Sequence, residues 1–85
     1  LLIGLKEYAM RGYSQSIVEA NQNAKEGLGV LLGAVLIAKK YPVSLAAKEL
    51  EVSRQTVYDW ISGKAIPFKS KTESIAKMID RLASE

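Results

Sequence analysis

Ser44-Leu-Ala-Ala-Lys-Glu-Leu-Glu-Val-Ser-Arg-Gln-Thr-Val-Tyr-Asp-Trp-Ile-Ser62 is the stretch that decides how this chain folds. It reads as two short helices held at a fixed angle by a tight turn. Ser44 is placed to cap the first helix, and Leu45, Ala46 and Leu50 give it an apolar stripe. Glu51-Val-Ser53 makes the turn, with the Ser53 hydroxyl capping the second helix. In that helix Val57, Trp60 and Ile61 recur at i, i+3, i+4 and share one face. Trp60 is therefore read as core rather than as a stacking platform. Arg54, Gln55, Tyr58, Asp59 and Ser62 fall on the other face.

Working outward, Gly63 is suited to the left-handed turn that stops the second helix. Ser70-Lys-Thr-Glu73 then has the form of a capping box. It opens a last amphipathic helix with Ile75, Met78, Ile79 and Leu82 at i, i+3, i+4, i+7. On the other side, Pro42 ends an apolar helix of about residues 24–40, because the residue before proline is pushed out of the helical region. Lys39 and Lys40 suit the negative C-terminal end of that helix. Its second half is apolar nearly all round, which predicts a central position. Gly29 and Gly33 are spaced to let another helix of the same chain pack closely.

Further upstream, Ser16-Ile-Val-Glu19 fits a capping box and opens a short helix to about Asn21. Asn23-Ala-Lys-Glu26 repeats the signal. A single helix from Ser16 to Lys40 is the alternative, since Ile17, Ala24, Leu28, Leu31 and Val35 form an unbroken stripe. The glycines at 27, 29 and 33 weaken it by about 1 kcal/mol each, so a break near residues 21–23 is favoured. Residues 1–11 place Leu1, Leu5 and Tyr8 on one face, a short helix ending at Gly12. With no period-two run and no hairpin dipeptide, the expected fold is all-α. Residues 1–23 are read as an N-terminal helical extension and 24–85 as the main domain.

Composition narrows the chemistry. The 85 residues suit one small domain, and cysteine and histidine are both absent. The commonest transition-metal ligands and the usual general base are missing together. No catalytic constellation, metal site or cofactor motif is expected: Ser62-Gly-Lys-Ala65 lacks the first glycine and the hydroxyl of a phosphate-binding loop. The longest uncharged apolar run, Gly27 to Ala38, is twelve residues. A bilayer needs about twenty, so no membrane partner is expected.

Charge is unevenly spread. Residues 1–38 carry three basic and three acidic side chains. Residues 39–71 carry seven basic against three acidic, and residues 72–85 two against three. The surplus lies on and beside the quoted stretch, where a polyanion would be met.

These features come together in a resemblance. Ala47 at the helix crossing, Leu50, Val52, Val57 and Trp60 at buried positions, and the ending Trp60-x-x-Gly63-Lys64-x-x-Pro67 resemble the phage-repressor and Cro-like helix-turn-helix family, also described as the xenobiotic-response-element family. The likeness covers roughly residues 28–83. It implies a compact helical bundle with a lambda-repressor-like helix-turn-helix, to which the N-terminal segment is an addition. It further implies that Ser53, Arg54, Gln55, Thr56 and Asp59 read base edges, and that Ser44 and Lys64 anchor phosphates. Glu51 departs from the family, which usually has glycine there. It must accept a positive φ at a cost of order 1 kcal/mol.

The side chains themselves suit that role. Arg54 can form two hydrogen bonds to guanine, Gln55 two to adenine, and Thr56 can pack on a thymine methyl. Asp59 can accept from cytosine, orient Arg54, or penalise wrong sequences. Tyr58 either reaches a phosphate or shields the core edge. Lys48 and Lys69, with Lys39, Lys40 and Lys71, are phosphate contacts by charge alone. The expected function is sequence-specific double-stranded DNA binding by a repressor-type transcriptional regulator. It would act as a homodimer in the cytoplasm, at the nucleoid of a bacterial host. Leu1, Leu2, Ile3, Leu5, Tyr8, Ile17 and Val18 either form the dimer surface or pack on their own domain. A DNA-packaging component resembling a small terminase subunit, or a protein-interaction module on the same fold, are the alternatives.

Overall fold

A computed structural model describes residues 13–85. Within them lie five α-helices and one 3-10 turn, with no strand among the described residues. The helices are α1 (Gln15–Asn23), α2 (Leu28–Lys39), α3 (Val43–Leu50), α4 (Arg54–Ser62) and α5 (Thr72–Ala83); the 3-10 turn is Lys69–Lys71. The all-α expectation is met for these residues. The predicted helix over residues 1–11 lies outside them, as do Leu1, Leu2, Ile3, Leu5 and Tyr8.

α2 packs against α1, α4 and α5, and α3 lies on α4. The faces follow the periodicity: Val57, Trp60 and Ile61 are buried, as are Ile75, Met78, Ile79 and Leu82. On α3 the stripe is Val43, Ala46, Ala47 and Leu50. Leu45, expected in it, is 47 % exposed. α2 is central but not surrounded. Gly29, Leu32, Gly33 and Leu36 enter the core, while Leu31 stays 51 % exposed.

The two glycines on α2 act as expected. A Cβ on Gly29 would stand 2.9 Å from Trp60 Cβ, and one on Gly33 2.8 Å from Ile61 Cγ2. Their absence lets α4 lie close against α2 within the chain.

Several caps differ from the sequence reading. α1 is capped by Ser14, whose Oγ accepts from Ile17 N at 3.2 Å, and Ser16 is already inside the helix. Asn23 caps nothing; it is the last residue of α1. The break falls at residues 24–27 rather than 21–23, and α2 starts after Gly27. Asn21, inside α1, faces inward, where Nδ2 donates to Val30 O at 3.0 Å and to Ile61 O at 2.8 Å. α3 begins on Pro42, whose carbonyl accepts from Leu45 N and Ala46 N, so Ser44 is not its cap. Ser70 forms no capping box, because residues 69–71 wind as a 3-10 turn and Thr72 Oγ1 donates to Lys69 O.

α2 and α3 end the same way. Lys40 (φ 55°) and Glu51 (φ 59°) are left-handed, and the following amides of Tyr41 and Val52 donate back to Leu36 O and Ala47 O. This double closure is the Schellman arrangement, normally built on glycine. Glu51 thus takes the positive φ that its position demands, and Gly63 takes it at the end of α4 (φ 80°). Glu51→Gly is expected to raise stability by about 0.5–1 kcal/mol by relieving the Cβ. Its ion pair with Lys71 is long (3.9 Å) and the carboxylate is exposed, so little is lost with it. A thermal melt of the variant checks this; no gain would mean that the turn is not strained.

Tyr41, Glu49 and Arg81 brace α3 against α5. The Tyr41 hydroxyl donates to Glu49, and Arg81 donates to the same carboxylate at 2.9 Å. The bond from Tyr41, then that from Arg81, holds the Glu49 carboxyl below its ordinary range.

Candidate nucleic-acid interface

The chemistry-bearing residues gather on the outer face of α4. The helix is fixed from behind by Val57, Trp60 and Ile61, which are 0–1 % exposed. Its start is fixed by Ser53, whose Oγ accepts from Thr56 N at 3.1 Å. Phe68 meets Trp60 edge-on at 5.8 Å, holding the loop that follows. The outer side chains therefore project from a rigid base, the condition for aiming hydrogen bonds at a partner.

Each outer residue differs in what it has left to offer. Arg54 is exposed and makes no hydrogen bond or ion pair among the described residues. Ser53 and Thr56 are joined by a 2.8 Å contact between their hydroxyls. Gln55 Nε2 donates to Asp59 Oδ1 at 2.9 Å. Of the three roles open to Asp59, orienting Arg54 is not the contact it makes: its partner is Gln55, one helical turn away on the same face. A carboxylate only accepts, so Asp59 fixes which end of the Gln55 amide faces it. Among the described residues one N–H and the carbonyl oxygen of Gln55 have no partner, the pair of groups that matches an adenine edge.

Two concave sites flank Tyr58. One, of about 260 Å³, is lined by Tyr13, Lys40, Ser44, Arg54 and Tyr58. The other, of about 230 Å³, lies between α1 and α4 and is lined by Ser16, Ala20, Gln55, Asp59 and Lys64 among others. Ser44, though not a cap, sits in the first turn of α3 with its hydroxyl exposed, beside Arg54. Lys64 stands beside Gln55 and Asp59. Lys48 and Lys69 are exposed but line neither site, and Lys71 is turned toward Glu51.

Two contributors were not found from the sequence. Tyr13 is 2 % exposed and its hydroxyl donates to Tyr41 O, which pins the start of α1 beside the end of α2. Burial first, and then the Tyr58 hydroxyl, push its pKa up, so it stays a neutral donor. α1 itself forms a wall beside the outer face of α4. The sequence offers Ser16 only as a cap, and no motif at residues 13–20 marks such a wall. Val18, a candidate for the dimer surface, is buried in the core, and Ile17 packs partly against it. Both pack on their own domain.

Among the described residues no helix is long and apolar enough to cross a membrane. No family model matches the chain, and neither a curated protein nor a solved structure was found that resembles it.

Proposed function

We propose that this chain is a sequence-specific double-stranded DNA-binding regulator of the repressor type. In this reading α3, the Glu51–Ser53 turn and α4 are a helix-turn-helix, and α4 enters the major groove. An α-helix of about 10–12 Å diameter fits a groove about 12 Å wide. The observation that carries the reading is the pairing of an exposed Arg54 with a Gln55 amide oriented by Asp59, on the first turn of a helix locked from behind. Arg54 would take guanine and Gln55 adenine, with Ser44, Tyr58 and Lys64 on the flanking phosphates. One such helix reads only a few base pairs, so two copies would act together on a palindrome, at the nucleoid of a bacterial host.

Selection of binding sites from a random duplex pool tests this. A palindromic motif is expected, and Arg54→Ala should lose information at one base of each half-site. Affinity for the selected site should fall by about 1–3 kcal/mol, roughly ten- to a hundredfold, with the circular dichroism spectrum unchanged. If no sequence is enriched and binding only fades with salt, direct readout is wrong. A packaging component or a protein-interaction module then becomes the better description.

A further inference from the structure

α2 divides its side chains in a way that its place in the bundle does not explain. Outside the core positions it carries no charged residue before Lys39. Leu31 is 51 % exposed, and Gly27, Ala34 and Ala38 are exposed with it. A helix on the surface of a small domain ordinarily turns a polar face outward. These four positions instead follow one another at intervals of four, three and four residues. That is the spacing of a seam between two packed helices.

The seam reads the same from either end, so it can pair with its own copy. We propose that it is covered by the same face of a second copy of this chain, the two α2 helices running antiparallel. The two-fold axis passes level with the Leu32–Gly33 peptide. It sets Leu31 level with the partner's Ala34, and Gly27 level with the partner's Ala38. Across the axis the two copies of Leu31 meet on one side of the seam and the two copies of Ala34 on the other, so each large pair lies beside a small one. Glycine beside alanine at both ends lets the helix axes close to about 8 Å, the near end of the usual range. An open groove of about 690 Å³, lined by Gly27, Leu28, Val30, Leu31 and Ala34 with the end of α1, is there to receive the partner's Leu31.

Charge selects the direction. Antiparallel packing brings Glu26, in the segment just before α2, toward the end of the partner's α2 at Lys39, and does so twice because the contact is isologous. Glu26 makes no ion pair among the described residues, and Lys39 spends one of its three N–H donors on Glu85 O at 2.8 Å. A parallel pair would instead place Glu26 beside Glu26 and Lys39 beside Lys39. Lys25 and Lys40 come to the same two ends and offset part of this attraction, and all four side chains are screened by salt.

The pairing rests on this face alone, so it stands or falls separately from the DNA reading. Sedimentation equilibrium of the full chain without DNA, up to about 1 mM, should show a reversible dimer. Leu31→Lys should weaken association at least about tenfold while the circular dichroism spectrum stays the same. Lys39→Glu and Glu26→Lys should each weaken it, and the two together should restore it. In this cysteine-free chain Ala34→Cys should oxidise to a covalent dimer, because the axis brings the two copies of residue 34 within disulfide reach; Ala83→Cys should not. A monomer at every concentration overturns the proposal, whether residues 1–12 or another protein covers the face. So does a dimer indifferent to Leu31→Lys and without the residue 34 cross-link, which would place the contact elsewhere.

Discussion

Asn21→Asp is expected to cost about 3–5 kcal/mol of stability at neutral pH, the scale of leaving a buried charge uncompensated. That is a large part of the roughly 5–15 kcal/mol available to a domain. Asn21 is 6 % exposed, and its two amide hydrogens go to Val30 O and Ile61 O. Through them one side chain ties α1 to α2 and to the last turn of α4. Aspartate has the same shape but turns an oxygen toward two carbonyl oxygens about 3 Å away, as Asn21 Nδ2 now stands from them. Both desolvation and repulsion disfavour its charge, so the folded-state pKa of the new carboxyl is raised above the unfolded value of about 3.9. A group shifted that way exacts no electrostatic cost below its unfolded pKa; the cost grows as pH rises and is complete above the folded pKa. Recovery in acid is partial, since a protonated carboxyl has one hydrogen where the amide has two. Urea unfolding at neutral pH and near pH 3 checks this, with Asn21→Ala as the uncharged reference at about 1–3 kcal/mol. An aspartate variant no worse than the alanine one at neutral pH would mean that the amide does not hold these carbonyls.

What was legible in the sequence follows from the range over which each signal acts. Helix faces are written locally, in the 3.6-residue recurrence of apolar side chains, and Val57, Trp60, Ile61 and the α5 stripe fell where that recurrence put them. Caps are also local, but serine is common, and several serines offered the same signal. Ser14 caps rather than Ser16, and Pro42 rather than Ser44, because the choice depends on where the chain has already turned. The turn before Pro42 is made by left-handed Lys40, a conformation that nothing in a lysine announces. Arg54 and Gln55 were legible as the exposed start of a helix. The wall beside them was not. Tyr13 and Asn21 act through partners 28 and 40 residues away, and no spacing rule reaches so far.

Gly33→Ala brings these strands of physics to one atom. Alanine is the better helix former by about 1 kcal/mol, and propensity alone predicts a more stable protein. Packing predicts the opposite. A Cβ at Gly33 would stand 2.6 Å from Asn21 Nδ2, 2.8 Å from Ile61 Cγ2 and 3.0 Å from Ile61 Cα. Two of these neighbours cannot retreat: the amide is held by its two carbonyls, and Ile61 Cα is backbone. Overpacking by one carbon costs about 1–3 kcal/mol, and Asn21 loses hydrogen bonds worth about 1 kcal/mol each if it yields. The cost outweighs the propensity gain, and a net loss of roughly 1–3 kcal/mol is expected in urea unfolding. Gly27→Ser is the contrast, since nothing among the described residues lies within 4 Å of its Cβ and its φ of 175° is ordinary extended backbone. It should change stability by no more than a few tenths of a kcal/mol. If α4 reads DNA, Gly33→Ala has a second effect in conditions where the protein is fully folded. The added carbon pushes on Ile61 and so tilts the helix that carries Arg54 and Gln55. Aimed hydrogen bonds tolerate about 0.5 Å, so specific affinity should fall at least about tenfold while salt-dependent binding to random duplex stays nearly the same. An alanine variant as stable as the parent would show that α2 and α4 have room between them. The close approach would then not be what fixes the angle of α4.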